Sequence, residues 1–258
     1  MCTVVLLRQP DHPWPIVMAA NRDEMQSRPW HPPARHWPDR PDVVAGLDGL
    51  AGGSWLGIND HGVVAAILNR TGTLGPQKDK RSRGELTLEA LDHADASEAA
   101  AALAMLDAGA YRPFNMIIAD NRDAFWIANP GGSRAVFVTA IAPGLSMLTA
   151  GDLNDPEDPR IRRYLPLFRG AIRPDPSTGD WMAWEALLAS RHHEATSDPT
   201  GAMCFLLPDG FGTSSSSLIA LPSADAVNPV PIWRFAGGEP GTIPFLPVTS
   251  FPAPAIHP

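Results

Sequence analysis

The segment Val63-Val64-Ala65-Ala66-Ile67-Leu68 is six apolar residues with no polar residue at alternate positions. A strand with one wet face alternates, whereas a strand that reads apolar throughout is covered on both faces. The opening run Cys2-Thr3-Val4-Val5-Leu6-Leu7 has nearly the same character and reads as a buried strand. Sheets of such strands need a covering layer on each side, and a chain of 258 residues is long enough to supply it.

The pattern predicts strands over about 2–8, 15–21, 54–59 and 62–69, then helices near 84–92 and 96–108. Strands follow at about 115–119, 124–128, 134–138 and 145–149, helices near 158–170 and 180–192, and strands at about 202–207, 214–221 and 230–236. Asp60-His61-Gly62 and Asp120-Asn121 carry turn chemistry between paired strands. Asp95 stands three residues before Glu98, the spacing of an N-cap and N3. Asp180 is the expected N-cap of a helix placing Trp181, Trp184, Leu187 and Leu188 on one face. Strand blocks separated by helix pairs specify an α+β fold with helices on the sheet faces.

Eight prolines fall in residues 10–41 and nine in 222–258. The first cluster, with Trp14, Trp30 and Trp37, reads as a long surface loop or lid over Cys2. The second reads as a late strand and an extended Pro-rich tail at about 240–258. No linker divides the middle, so residues 1–258 are read as a single domain. A formal net charge of −8 offers no electrostatic footprint for nucleic acid or an anionic membrane. Two cysteines exclude a disulfide scaffold and a cysteine-based zinc site. No basic n-region precedes the short apolar start, and no run approaches the length of a membrane span. The expectation is a cytoplasmic protein without a transmembrane segment. Phosphate-loop, dinucleotide, zinc-protease and serine-hydrolase motifs are absent, and His192-His193-Glu194 lacks the spacing of a helical metal pair.

Chemistry concentrates at Cys2. Removal of Met1 would leave one residue with both a thiol and an α-amine, nucleophile and base together. The same residue also reads as a small buried hydrophobe at a strand start. Asn21-Arg22-Asp23-Glu24 ends the second strand, and a hairpin through residues 9–14 would return Arg22 and Asp23 to Cys2. A guanidinium there would favour the thiolate, and a carboxylate could orient the α-ammonium. Asn69 ends the apolar strand Val63–Leu68, where its amide could donate to an oxyanion. Cys204, inside Met203-Cys204-Phe205-Leu206-Leu207, reads as core. His12, His31 and His36, with Met25, are the scattered side chains able to ligate heme.

Taken together, Met1-Cys2-Thr3, Asn21–Glu24, Ala51-Gly52-Gly53-Ser54-Trp55-Leu56-Gly57, Gly62–Asn69, Ser82-Arg83-Gly84-Glu85-Leu86 and Phe114-Asn115 resemble the NRDE, or transport-and-Golgi-organisation, family. The match is densest over residues 1–92 and continues through Ala150–Asn154 to Gly212-Thr213-Ser214-Ser215. The resemblance implies a four-layer αββα N-terminal-nucleophile hydrolase-like sandwich, distantly similar to choloylglycine hydrolase and penicillin V acylase. It maps a catalytic cysteine onto Cys2, the arginine and aspartate onto Arg22 and Asp23, and an asparagine onto Asn69. The chain departs from the pattern at Leu148-Thr149-Ala150, where an asparagine is usual in place of Ala150, and at Ser214, where an arginine is expected. Asn21, Asp152, Asn154 and Ser214 are the weaker ligand-binding candidates.

Two functions follow as expectations. One is an N-terminal cysteine amidohydrolase acting on a C–N amide bond through the Cys2 thiolate and a thioester. The other is a non-enzymatic protein of lipid and heme homeostasis that binds or traffics heme or an acyl lipid. The expected partner is a small-molecule amide, acyl or heme ligand; no metal and no cofactor is required.

Overall fold

The apolar strands form two stacked sheets in the computed structural model, which describes residues 2–132, 135–194, 198–226 and 229–251. The first sheet contains β1 (Thr3–Arg8), β2 (Ile16–Met25), β10 (Gly144–Leu148), β11 (Phe211–Leu221), β12 (Ile232–Ala236) and β13 (Leu246–Pro247). Its order is β10-β1-β2-β11-β12-β13, and its neighbours are antiparallel. The second sheet runs in chain order through β3 (Trp30–Ala34), β4 (Val43–Asp48), β5 (Leu56–Asn59), β6 (Val64–Asn69), β7 (Phe114–Ala119), β8 (Ala124–Asn129) and β9 (Phe137–Ala140). Helices α1 (Gly84–Leu91) and α2 (Ala96–Ala104) cover the second sheet, and α3 (Pro159–Gly170) and α4 (Met182–Leu188) cover the first.

Three apolar layers account for the unalternated strands. Val64, Ala66 and Leu68 point between the sheets with Val4, Leu6 and Met18, while Val63, Ala65 and Ile67 pack under α1 and α2. Val5, Leu7 and Ala19 pack under α3 and α4 against Tyr164, Phe168 and Trp184. Successive residues of one strand therefore serve two different cores, so no position is left for a polar side chain. The expected α+β, four-layer αββα sandwich is the observed architecture.

Local expectations hold where turn and cap chemistry is explicit. Gly62, at φ 85°, closes the β5–β6 hairpin, and Asp95 Oδ1 accepts the Glu98 N–H at 2.8 Å. Four differ. The early Pro/Trp region is not a lid: β3 lies inside it at the edge of the second sheet, where Pro32 and Pro33 need no ladder donor. Residues 202–205 are buried, but Leu206 is exposed, and the segment forms only an isolated bridge from Leu206 to Gly212 rather than a strand. Helix α4 is shorter than expected, and its N-cap residue is Trp181, not Asp180. The Pro-rich tail is docked as far as it is described: β13 pairs with β12, and Val248 and Phe251 pack on the inter-sheet core. The remainder of that tail (252–258), the first residue of the strand expected at 134–138, and Met1 lie outside the described residues. Among the described residues, no helix is long and apolar enough to cross a membrane.

Candidate active site

The β1–β2 hairpin sets the site. Thr3 pairs with Asn21, so Cys2 falls opposite Arg22 at the end of the ladder. The thiol sits against the Asp23 backbone, whose N–H approaches Sγ at 3.4 Å and whose carbonyl oxygen lies 3.6 Å away. Burial pushes the Cys2 thiol up from its ordinary value, and the Asp23 carboxylate adds to the rise. Arg22 pulls the other way, as expected, but weakly.

Asp23 is fully buried and tightly held. Its Oδ2 meets Arg160 Nη1 at 3.0 Å, and its Oδ1 accepts the Thr213 hydroxyl at 2.8 Å. Arg160 reaches in from the first turn of α3, also donating to Thr3 Oγ1 at 2.6 Å and to the Thr200 carbonyl at 2.5 Å. A cation buried this deeply is tolerated because a carboxylate and several oxygens surround it. Sequence reasoning placed the missing cationic partner at position 214. The structure supplies one from α3 instead.

Ser214 has its own task. The β2–β11 register slips between Thr213 and Ser215, leaving Ser214 in a bulge facing Arg22. Its hydroxyl donates to the Arg22 carbonyl at 3.1 Å and accepts from Arg22 Nη1 at 3.2 Å. The Arg22 guanidinium also lies 4.3 Å from the centre of the Trp55 ring and 3.8 Å from Glu24 Oε2. Burial pulls Arg22 below its ordinary value, and the neighbouring Cys2 and Glu24 oppose that.

Cys2, Arg22, Asp23 and Asn69 line one cavity of about 420 Å³ at the ends of both sheets. Asn69 comes from the second sheet, as the last residue of β6. Its side chain makes no hydrogen bond among the described residues, so its amide is available to a ligand. The weaker candidates are otherwise engaged. Asn21 donates to the Leu188 and Met203 carbonyls at 3.0 and 2.9 Å and accepts from Ser216 at 2.6 Å. Asp152 pairs with Arg70 at 2.6 Å outside the cavity lining. Asn154 accepts the Met147 N–H at 2.8 Å, bracing the end of β10. Ala150 is buried and absent from the lining. His12, His31 and His36 also lie outside it, and no metal-holding group of three His, Cys, Asp or Glu occurs among the described residues.

The opposite wall comes from residues 75–84 and Arg112. It is anchored where Ser54 N–H donates to the Gly84 carbonyl at 2.9 Å. A Cβ on Gly53 would lie 2.5 Å from the Gly84 carbonyl carbon, so only glycine permits this approach. Arg83, immediately before α1, donates through Nη1 to Thr73 Oγ1 and the Pro113 carbonyl, both at 2.9 Å. Arg112 donates to the Leu74 and Gly75 carbonyls at 2.6 and 2.8 Å. Burial, reinforced by the nearby Arg112 charge, pulls Arg83 down to about 10. The Ser82–Leu86 motif contained Arg83, but only the folded chain brings it to Arg112.

Comparison with known proteins bears on this geometry. The family model described as Transport and Golgi organisation 2 matches residues 1–227. The Transport and Golgi organization protein 2 homolog of Homo sapiens is 38% identical over 110 residues, which are 41% of this chain and 38% of that protein. The Mus musculus homolog is 36% identical over the same shares. The chain thus matches well under half the length of these curated relatives. Among solved structures, the Caenorhabditis elegans ortholog of N-acylethanolamine-hydrolyzing acid amidase superposes with a TM-score of 0.54 at 13% identity, covering 84% of this chain and 92% of that one. A mutant conjugated bile acid hydrolase from Clostridium perfringens gives 0.52 at 12% identity, covering 98% and 94%. At these identities the likeness establishes the N-terminal-nucleophile hydrolase fold.

Proposed function

This chain belongs to the Transport and Golgi organisation 2 family, and from that premise we propose that its cavity hydrolyses a C–N amide bond of a small molecule with Cys2 as nucleophile. The observation that carries the reading is the convergence of Cys2, Arg22, Asp23 and Asn69 on one cavity from two different sheets. The names of the two solved relatives, an amidase and a conjugate hydrolase, support the reaction class.

Removal of Met1 gives Cys2 an α-amine, whose ordinary pKa of about 7.7–8.0 suits a base at neutral pH. That amine takes the Sγ proton directly or through water, which offsets the rise that burial imposes on the thiol. Asp23, fixed by Arg160 and Thr213, orients the resulting ammonium. Sγ attacks the amide carbon, and the oxyanion accepts a hydrogen bond from the Asn69 amide. The C–N bond breaks as the ammonium returns the proton to the leaving amine, leaving a thioester. A water, deprotonated by the same amine, attacks the thioester; the S–C bond breaks, the acid departs and Sγ regains a proton.

Intact-mass measurement of the natively expressed protein tests the premise. Loss of Met1 together with selective iodoacetamide labelling of Cys2 is expected; a retained Met1 overturns the mechanism. A second reading, binding or trafficking of an acyl lipid or heme without turnover, draws on one observation. The cavity of about 420 Å³ also carries the apolar side chains of Leu50, Trp55 and Ile67 beside Cys2. Heme would find Cys2 as its soft ligand there, since the described cavity lining holds no His or Met. Saturable absorbance change on heme titration, abolished by Cys2→Ala, supports that reading, and a flat titration removes its heme arm.

A further inference from the structure

We propose that Arg83 and Arg112 form a subsite for an oxyanion carried by the ligand, a carboxylate, sulfonate or phosphate, so that the substrate is an amide with an anionic end. The inference rests on the hydrolytic reading of the Cys2 cavity and adds the class of molecule it accepts.

The cavity is cationic in an acidic protein. Its lining carries Arg22, Arg28, Lys80, Arg81, Arg83 and Arg112 against Asp23, Glu24 and Asp48, whereas the chain as a whole has 20 Lys and Arg against 28 Asp and Glu. The three carboxylates are committed elsewhere in the wall. Asp23 holds Arg160, Asp48 holds Arg28 at 2.7 Å, and Glu24 lies within 4 Å of Arg22 and Arg28. Arg81 turns to Glu85 at 2.6 Å.

Arg83 and Arg112 have no such partner among the described residues. Both donate only to neutral oxygens, Arg112 Nε is buried without any acceptor, and Lys80 beside them reaches the Gly109 carbonyl. Neutral donors could brace the same loop carbonyls without the mutual repulsion of two guanidiniums in a partly desolvated wall. Burial depresses Arg83 most and the Arg112 charge adds to it, with Cys2 and Glu24 opposing. An anion between the two arginines removes their repulsion, and guanidinium forks suit the planar or tetrahedral oxygens of such a group. The reactive end of the ligand would then lie toward Cys2 and Asn69.

Calorimetric titration of the full chain with inorganic phosphate and, separately, with glutarate tests this. Saturable binding is expected in at least one arm, weakened about tenfold or more by Arg83→Gln or Arg112→Gln and less by Arg112→Lys, which keeps the charge but loses the fork. A tighter phosphate arm identifies a phosphoryl end, and a tighter glutarate arm a carboxylate. The anion that binds must also slow iodoacetamide labelling of Cys2 in the wild-type chain. No saturable binding in either arm, unchanged affinity in Gln variants that melt cooperatively, or no protection of Cys2 at saturation overturns the subsite. Should a Gln variant fail to fold, Arg112→Lys and the protection measurement decide. A retained Met1 would end the hydrolytic reading while leaving anion binding intact, and absent anion binding would leave Met1 removal intact.

Discussion

On the first-sheet side of the cavity, Asp23 is enclosed by Arg160, Thr213 and the Cys2 thiol, with each charge matched inside the protein. In the wall built from the second sheet's loops, Arg83 donates to the Pro113 carbonyl and Arg112 to the Leu74 and Gly75 carbonyls. The first wall is satisfied without a ligand, so it can fix a nucleophile rigidly. The second is left electrostatically incomplete, so it is the side whose energy a ligand changes. In the proposed reading, the nucleophile is held by the first sheet, and the oxyanion donor Asn69 and the anion subsite belong to the second sheet and its loops.

The comparison can be broken at several points. Cys2→Ala should reduce amide hydrolysis to background, a loss on the order of 10⁶ as for other covalent nucleophiles, read by product assay. Arg160→Met leaves the Asp23 carboxylate buried without its cation and should cost about 3–5 kcal/mol in chemical denaturation. Adding Asp23→Asn should recover part of that loss, because the uncompensated charge disappears. A cost near zero for Arg160→Met would mean that the first wall is not the rigid one. Asn69→Ala should lower kcat by about 10²–10³ with little change in unfolding midpoint, separating an oxyanion donor from a structural amide.

Smaller effects sharpen the contrast. Gly53→Ala forces the β4–β5 loop away from Gly84 and should cost about 1–3 kcal/mol, loosening the recognition wall while Cys2 stays in place; unfolding and Cys2 labelling together report this. In a chain that retains Met1, labelling of Cys2 should show a midpoint above its ordinary value of 9.0. The sign carries over to stability. Between 9.0 and the raised folded value, the unfolded thiol has lost its proton and the folded one has not, so stability falls as pH rises through that window. A midpoint below 9.0 would show that Arg22 outweighs burial.

Much of the positioning wall was legible in sequence. The apolar runs and the residues 9–14 turn dictated the β1–β2 hairpin, and the hairpin alone returns Arg22 and Asp23 to Cys2. Asn69 was legible because it terminates a strand whose every other residue is apolar. Arg160 was not. It stands in Pro159-Arg160-Ile161-Arg162-Arg163-Tyr164, where the exposed Arg162 and half-buried Arg163 disguise the one that turns inward. The β3 edge strand was hidden by its prolines, which sequence rules assign to loops although an edge tolerates them. Residues 202–207 misled in the opposite sense, since Ala202–Phe205 are apolar because they are buried, without forming a strand. The pairing of Arg83 with Arg112 depends on β7 returning beside β6, a long-range event with no local signature.

The placement of β1 has a consequence for the order of events during synthesis. Its strand lies between β2 and β10, and β2 is in turn closed by β11, which ends at Leu221. The ladder that encloses residue 2 is therefore incomplete until most of the chain has left the ribosome. At ordinary elongation rates that interval lasts about 10–40 s. Throughout it β1 has only its hairpin partner β2 to pair with, so the segment beside residue 2 is among the first made and the last to be enclosed.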